Sequence, residues 1–310
     1  MGLLRSAFLA GSQSRWLRER AVNFKPVRRA VSRFMPGDDL EAALAATRTL
    51  QGSGIGSVLT YLGENVQKPE EAEQVRLHYL DVLARAKQMT LDVEISVKLT
   101  QLGLDLGRPA CETALTSLIE RAAADGTWVW VDMESSDYTD VTLDIYRNAR
   151  KRFRNVGVCV QSYLYRTERD LEGLMASGGA FRLVKGAYRE PPEKAFPKKR
   201  DVDANYFALA RRLLAPEARR AGVRTIFGTH DGALVRRIEE AGRQAGLRPQ
   251  DMEFQMLYGI GREEQVRLAA QGYRFRVLIS YGDAWFPWYM RRLAERPANV
   301  LFVLKNVFAG

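Results

Sequence analysis

A lysine and an aspartate interrupt two strongly apolar runs, Lys98 in SVKLTQLG and Asp132 in WVWVDMES. An ionised group in such company is costly to bury alone, so the two compensate each other if their segments are neighbours. That pairing suits a substrate site, and it suits equally a buried ion pair that only sets packing. A third run, FRLVKGAY, carries Arg182 and Lys185 just before Gly186. Glycine there permits close backbone approach to a ligand, and two adjacent cations suit an electron-rich or phosphorylated one; an ordinary turn accounts for the same residues. A lysine so placed could also serve as the nucleophile of a Schiff-base aldolase. A fourth run ends in Gly228-Thr229-His230-Asp231 before Gly232. Such a turn offers N–H groups and the positive end of a helix to an anion, unless Asp231 is simply a helix cap. Adjacent arginines, Arg291 and Arg292, could fork a carboxylate from a helix that crosses over the site, and are otherwise solvated.

These residues need elements to hold them. Short β-branched or aromatic runs recur at Gly56–Tyr61, Glu94–Leu99, Trp128–Met133, Val156–Gln161, Phe181–Lys185, Arg224–Gly228, Met252–Leu257 and Phe275–Ile279. Helical patterns lie between them, at Glu70–Gln88, Cys111–Asp125, Thr139–Lys151, Glu168–Ala176, Val202–Ala221 and Ala233–Ala245. This alternation implies βαβ crossovers and a parallel sheet, and eight units suggest closure into a (β/α)8 TIM-type barrel. A doubly wound open sheet is the alternative, but Leu62-Gly63-Glu64 follows the first strand instead of G-x-G-x-x-G. Residues 1–50 read as a basic helical arm, with a helix over Leu40–Leu50, and residues 51–310 as the catalytic barrel. Glu190–Arg200, with Pro191, Pro192 and Pro197, reads as a loop. In a parallel barrel, chemistry gathers where the carboxyl ends of the strands meet the βα loops, and each strand proposed here ends in, or leads into, something polar.

Composition narrows the function classes. A chain of 310 residues, 46% hydrophobic and 27% charged, can bury the core of one large domain. It contains no run of about 18 apolar residues of the kind that spans a membrane. Cys111 and Cys159 are the only cysteines and are not spaced as a metal or disulfide pair; His78 and His230 are the only histidines. A multi-histidine metal site is excluded by count, no metal is expected, and the cysteine usage suits a reducing cytoplasm. The net charge of +10 would allow nucleic acid, anionic substrate or a membrane surface as partner. Much of it lies in Arg15, Arg18, Arg20, Lys25, Arg28, Arg29 and Arg33, a segment that could rest on anionic lipid or be a solvated arm. The start also matches the short acylation pattern through Gly2 and Ser6, although a basic leading helix is the simpler reading.

Taken in order, SVKLTQLG, VDMES, FRLVKGAY, GTHD, EFQMLYGI and WYMRRLAERPAN resemble the successive motifs of the proline dehydrogenase family, over roughly the last two-thirds of the chain. Each motif is weak by itself; six in order are specific. The resemblance implies a distorted (β/α)8 barrel with FAD at the carboxyl ends of the strands and L-proline beneath a closing C-terminal helix. It implies hydride transfer from proline C5 to give Δ1-pyrroline-5-carboxylate, with electrons passed to a quinone or other membrane acceptor. Pyrroline-5-carboxylate dehydrogenase is then a transient partner, nucleic acid is not expected, and the location is cytoplasmic, at the inner face of the membrane. Residue by residue, the resemblance places Lys98 and Asp132 beside the substrate and Arg182 at the reactive edge of the flavin. It assigns Met133, Gln161, Lys185, Gly186, Ala187, Thr229 and His230 to the cofactor. It makes Tyr188 and Leu257 walls of the proline pocket, and Arg291 and Arg292 the carboxylate fork. Asp132 is expected to anchor Lys98, and Lys98 to disfavour the protonated amine. Three positions depart from the pattern: Leu278 stands where a tyrosine is expected, Tyr281 could replace that tyrosine from the loop, and Trp288 takes another tyrosine position.

Overall fold

The computed structural model describes residues 32–176 and 178–286. Most of the basic segment, and Trp288, Arg291 and Arg292, lie outside the described residues. Eight parallel strands close into a barrel in chain order. They are β1 Gly56–Tyr61, β2 Val93–Val97, β3 Val129–Val131, β4 Val156–Gln161, β5 Ala180–Val184, β6 Arg224–Gly228, β7 Glu253–Leu257 and β8 Arg274–Tyr281. Closure is made by β8 on β1, in register from Gly56 opposite Arg276 to Tyr61 opposite Tyr281. The described helices are α1 Leu40–Gln51, α2 Pro69–Gln88, α3 Arg108–Ala124, α4 Thr139–Arg152, α5 Thr167–Met175, α6 Lys199–Leu214, α7 Pro216–Arg220, α8 Gly232–Gln244 and α9 Arg262–Ala270. None of them is long and apolar enough to cross a membrane.

The strands are nearly continuous apolar runs because both of their faces are covered. Alternate side chains divide between two cores. Leu59, Ile95, Val131, Val158, Leu183, Phe227, Phe254 and Ile279 face the helices in the larger one. Val58, Trp130, Ala180 and Ile226 fill the barrel interior, with Leu278 packed against them. Leu278 therefore continues an apolar interior layer. Below that layer the amino-terminal end of the barrel is shut by a charge lattice. Arg224 pairs with Glu94 and Glu253 at 2.7 Å each, Arg276 pairs with Asp92 at 2.7 Å, and Trp130 Nε1 donates to Glu94 at 2.6 Å. The polar residues above the apolar layer thus lie at the opposite end, the carboxyl end of the strands.

Helix limits follow local chemistry. Asp39 caps α1 by accepting from the Ala42 N–H at 2.8 Å. The single helix expected over Val202–Ala221 is two: Ala215 is extended at φ −63°, ψ 152°, and α7 starts at Pro216. Proline lacks the N–H for the helical ladder and drives the residue before it out of the α region. The last strand runs to Tyr281 instead of stopping at Ile279, because Ser280 and Tyr281 still pair with Thr60 and Tyr61.

Candidate active site

Arg182, in the middle of β5, projects into the barrel and is 2% exposed. Its Nε donates to Cys159 Sγ at 2.7 Å, Nη1 to Gln255 Oε1 at 2.9 Å, and Nη2 to Ser96 Oγ at 2.7 Å and to Asp132 Oδ1. Asp132 also accepts from Ser96 Oγ at 2.8 Å and lies 3.5 Å from Cys159 Sγ. A guanidinium has five N–H donors, so one N–H on Nη1 has no acceptor among the described residues. Burial pushes the Cys159 thiol up to about 12, with the Arg182 charge pulling the other way. The sulfur is therefore a neutral thiol that accepts from Arg182 and offers its S–H to Asp132.

This geometry corrects one expectation. Asp132 is paired with Arg182, not with Lys98, because the arginine is long enough to cross the interior from β5 to the ends of β2 and β3. Lys98, just past β2, shares the inward parity of Glu94 and Ser96, is half-buried, and forms no ion pair with a described residue. Its charge acts instead on Glu134, whose carboxylate accepts from Thr100 N at 3.1 Å and Thr100 Oγ1 at 2.6 Å. Burial raises the Glu134 carboxyl above the ordinary range, against the Thr100 bonds and the Lys98 charge.

Gln161 ends β4 with Nε2 donating to the carbonyls of Met133 and Glu134 at 3.2 Å each, which ties the ends of β3 and β4 together. The Met133 side chain itself packs in the outer core. Gln161 Oε1 and Gln255 Nε2 are buried without a partner. Such atoms cost about 1–3 kcal/mol each unless a ligand or water meets them. His230 Nε2 accepts from the Leu257 N–H at 2.8 Å, so its proton is on Nδ1, and it fixes the end of β7 to that of β6. Thr229 Oγ1 accepts from the Asp231 N–H at 3.2 Å. Asp231 is both a helix cap, accepting from Ala233 and Leu234, and an ion-pair partner.

Lys185 faces away from Arg182, toward the helices. Its Nζ meets Asp203 at 2.5 Å and Asp231 at 2.9 Å. Arg182 and Lys185 do not converge on one point, since positions three apart on a strand point to opposite faces. An ammonium held by two carboxylates is also poorly placed to be the nucleophile of an aldolase. Gly186 has φ +114°, and a Cβ there would lie 2.4 Å from the Tyr163 ring. Its lack of a side chain admits that ring, a reason internal to the fold. Ala187 is half-buried beyond it, and Tyr188 donates to Glu64 Oε2 at 3.3 Å across the mouth. Leu257 has the inward parity of Glu253 and Gln255 and sits opposite Leu278. Tyr281 does not stand in for the missing tyrosine. It is fully buried on the outer face of β8, with its hydroxyl 2.8 Å from His78 Nε2.

Ser96, Cys159, Gln255 and Glu134 were not singled out in the sequence. The available signal was parity: Ser96 lies two residues before Lys98, Cys159 is in register with Arg182, and Gln255 lies two before Leu257.

The proline dehydrogenase family model matches residues 43–305. Proline dehydrogenase 1 of Bacillus subtilis (strain 168) is 36% identical over 305 residues, covering 98% of this chain and 99% of the relative. Proline dehydrogenase of Deinococcus radiodurans is 35% identical over 283 residues, covering 90% of each. Among solved structures, proline utilization A (PutA) from Bdellovibrio bacteriovorus, inactivated by N-propargylglycine, superposes with a TM-score of 0.80 at 22% identity. The match takes in 87% of this chain and only 33% of that protein, so this chain spans about a third of the solved PutA chain and the likeness bears on the fold alone. The family match and the near full-length relatives converge on one conclusion: the chain belongs to the proline dehydrogenase family.

Proposed function

We propose that this chain oxidises L-proline to Δ1-pyrroline-5-carboxylate, with FAD bound at the open end of the barrel. The observation that carries the reading is the set of unspent polar atoms around Arg182. One Nη1 N–H, the orphaned Gln255 Nε2 and the orphaned Gln161 Oε1 lie at the inward ends of adjacent and facing strands. Two donors and an acceptor, buried and unpartnered, fit the edge of a planar ring that carries carbonyl and N–H groups, as an isoalloxazine does. FAD, when bound, supplies the acceptor for the hydride leaving proline C5.

Arg182 and Gln161 would hold the ring, with Met133 contributing its backbone beside Gln161. Lys185, Gly186, Ala187, Thr229 and His230 would hold the rest of the cofactor from the rim. Asp132 keeps the Arg182 guanidinium in one orientation, so that a fixed cation faces the reacting centre without reorganisation. Lys98, with no carboxylate of its own among the described residues, would raise the cost of a protonated substrate amine and favour the neutral form, whose lone pair drives imine formation. Tyr188 and Leu257 wall the substrate, and Arg291 and Arg292 fork its carboxylate. Electrons go on to a quinone or other membrane acceptor. The chain works in the cytoplasm at the inner face of the membrane, docked through its basic first segment, and hands its product to pyrroline-5-carboxylate dehydrogenase in transient contact.

One spectrum tests the core of this reading. Purified protein should show flavin absorbance that proline bleaches in the absence of an acceptor, and heat should release free FAD into the supernatant. Folded protein that carries no flavin and takes up none when it is added would reject it.

A further inference from the structure

The β5–α6 connection, residues 185–198, crosses the barrel mouth as a strap fastened at several points. Tyr188 reaches the loop after β1 through Glu64. Two residues on, the Glu190 carboxylate takes both polar groups of Ser136 in the turn after β3, accepting from its N–H at 2.7 Å and from its hydroxyl. Tyr163, after β4, adds a donor at 3.4 Å. Further out, Lys194 pairs with Asp137 at 2.7 Å, and Leu164 and Ala195 form a bridge.

We propose that Glu190 is a positioning residue that sets the width of the substrate pocket, by holding Tyr188 over the barrel mouth. The proposal rests on the functional reading above. Only Arg189 separates the two residues, and consecutive Cα atoms are about 3.8 Å apart, so a shift of the clasp is passed on to Tyr188 with little attenuation. Slack cannot be taken up downstream, because Pro191 and Pro192 follow immediately and their φ angles are fixed. The Glu190 clasp is two-pronged and charge-assisted, which gives direction as well as strength. The outer pin is of another kind: the Lys194 and Asp137 side chains are 47% and 78% exposed, and an exposed pair contributes little.

The test compares Glu190→Ala and Glu190→Gln with Asp137→Ala, which removes only the outer pin. KM and kcat are measured separately for L-proline and for a ring-hydroxylated proline, with FAD content and melting temperature alongside. Loss of the clasp should raise the KM for proline about 10-fold with kcat within about 3-fold. The preference for proline over the hydroxylated analogue should narrow by at least about 5-fold. Glu190→Gln, which keeps one acceptor and loses the other, should fall between the parent and Glu190→Ala, and Asp137→Ala should match the parent. If Glu190→Ala does not fold, Ser136→Ala removes the hydroxyl prong, together with the bond that this hydroxyl accepts from Lys194 at 3.2 Å, and should move KM and the substrate ratio in the same direction by a smaller factor. A substrate ratio that stays at the parental value while activity, FAD content and melting temperature fall together would overturn the proposal, since that is how a merely structural contact behaves. An unchanged KM and ratio in Ser136→Ala would overturn it as well. Parent protein that holds no flavin and leaves proline untouched would instead overturn the functional reading, and the strap's role with it.

Discussion

A guanidinium enclosed by a thiol, a hydroxyl, an amide and a single carboxylate depends heavily on that carboxylate. Arg182 is almost fully buried, and Asp132 is its one ionic partner among the described residues. Removing one member of a buried pair leaves a charge without compensation, at a cost of about 3–5 kcal/mol. Asp132→Ala should lose stability on that scale in denaturant melts, and Arg182→Met somewhat less, because the carboxylate is nearer solvent. The double variant should be less destabilised than the two singles together, with a coupling of at least about 1.5 kcal/mol. Additivity to within about 0.5 kcal/mol would show that the side chains act independently. Both residues were legible in the sequence, from their apolar surroundings and from the order of the motifs, but their partnership was not. Strand order predicts that the ends of β2 and β3 are neighbours, which suggested Lys98 for Asp132. It says nothing of how far a long side chain reaches across the barrel, and that reach gave Asp132 to Arg182.

At the scale of elements, the periodicity placed all eight strands to within about two residues at each end, because continuous apolar runs bounded by polar turns leave little freedom in a closed parallel barrel. The misreadings have local causes. Pro216 divides one helical pattern in two, and Ser280-Tyr281, which look like the start of a loop, are held in β8 by their ladder to β1. Which strand ends are cross-tied was also hidden, since the ties run from side chain to side chain: Gln161 to the end of β3, His230 to the end of β7, Lys185 to the starts of α6 and α8. The last of these carries a pH signature. Burial alone would raise the Asp231 carboxyl, but the bond and charge of Lys185, then Lys199 and the α8 backbone, hold it well below the ordinary aspartate range. A depressed folded-state value means that the stabilisation is fully present above the unfolded value of about 3.9 and is lost as pH falls through the folded one. Asp231→Asn keeps a competent helix cap and removes only the charge. It should therefore cost about 0.5–1 kcal/mol at pH 7, unchanged between pH 5 and 8, and the gap from the parent should close below about pH 4. A gap that stayed constant down to pH 2 would mean that the cap, not the ion pair, is what the substitution disturbs.

For the molecule as a whole, charge is distributed along the chain far less evenly than mass. The first 33 residues hold eight Lys or Arg and one Glu, hence seven of the ten net positive charges, while the following 277 residues hold the remaining three. Many of the barrel's own cations are paired, in the lattice that shuts its amino-terminal end and along its helices. If the first segment docks the molecule on anionic lipid, each Lys or Arg near the surface contributes about 1 kcal/mol, and half of the eight would give roughly 4 kcal/mol, close to a thousandfold in affinity. Phe34 and Met35 are buried, so a deletion ending at Arg33 removes the charge and leaves both of these side chains in the chain. Sedimentation with vesicles of mixed anionic and neutral lipid should show binding of the full chain at low salt. That binding should weaken progressively toward 1 M salt, where the screening length falls from about 10 Å at 0.1 M to about 3 Å. The deletion variant should bind at least about 100-fold more weakly, with proline oxidation by a soluble acceptor retained. Vesicle binding that survives the deletion unchanged would transfer the docking role to the barrel surface, where exposed cations such as Arg48, Lys68 and Arg211 form no ion pair with a described residue.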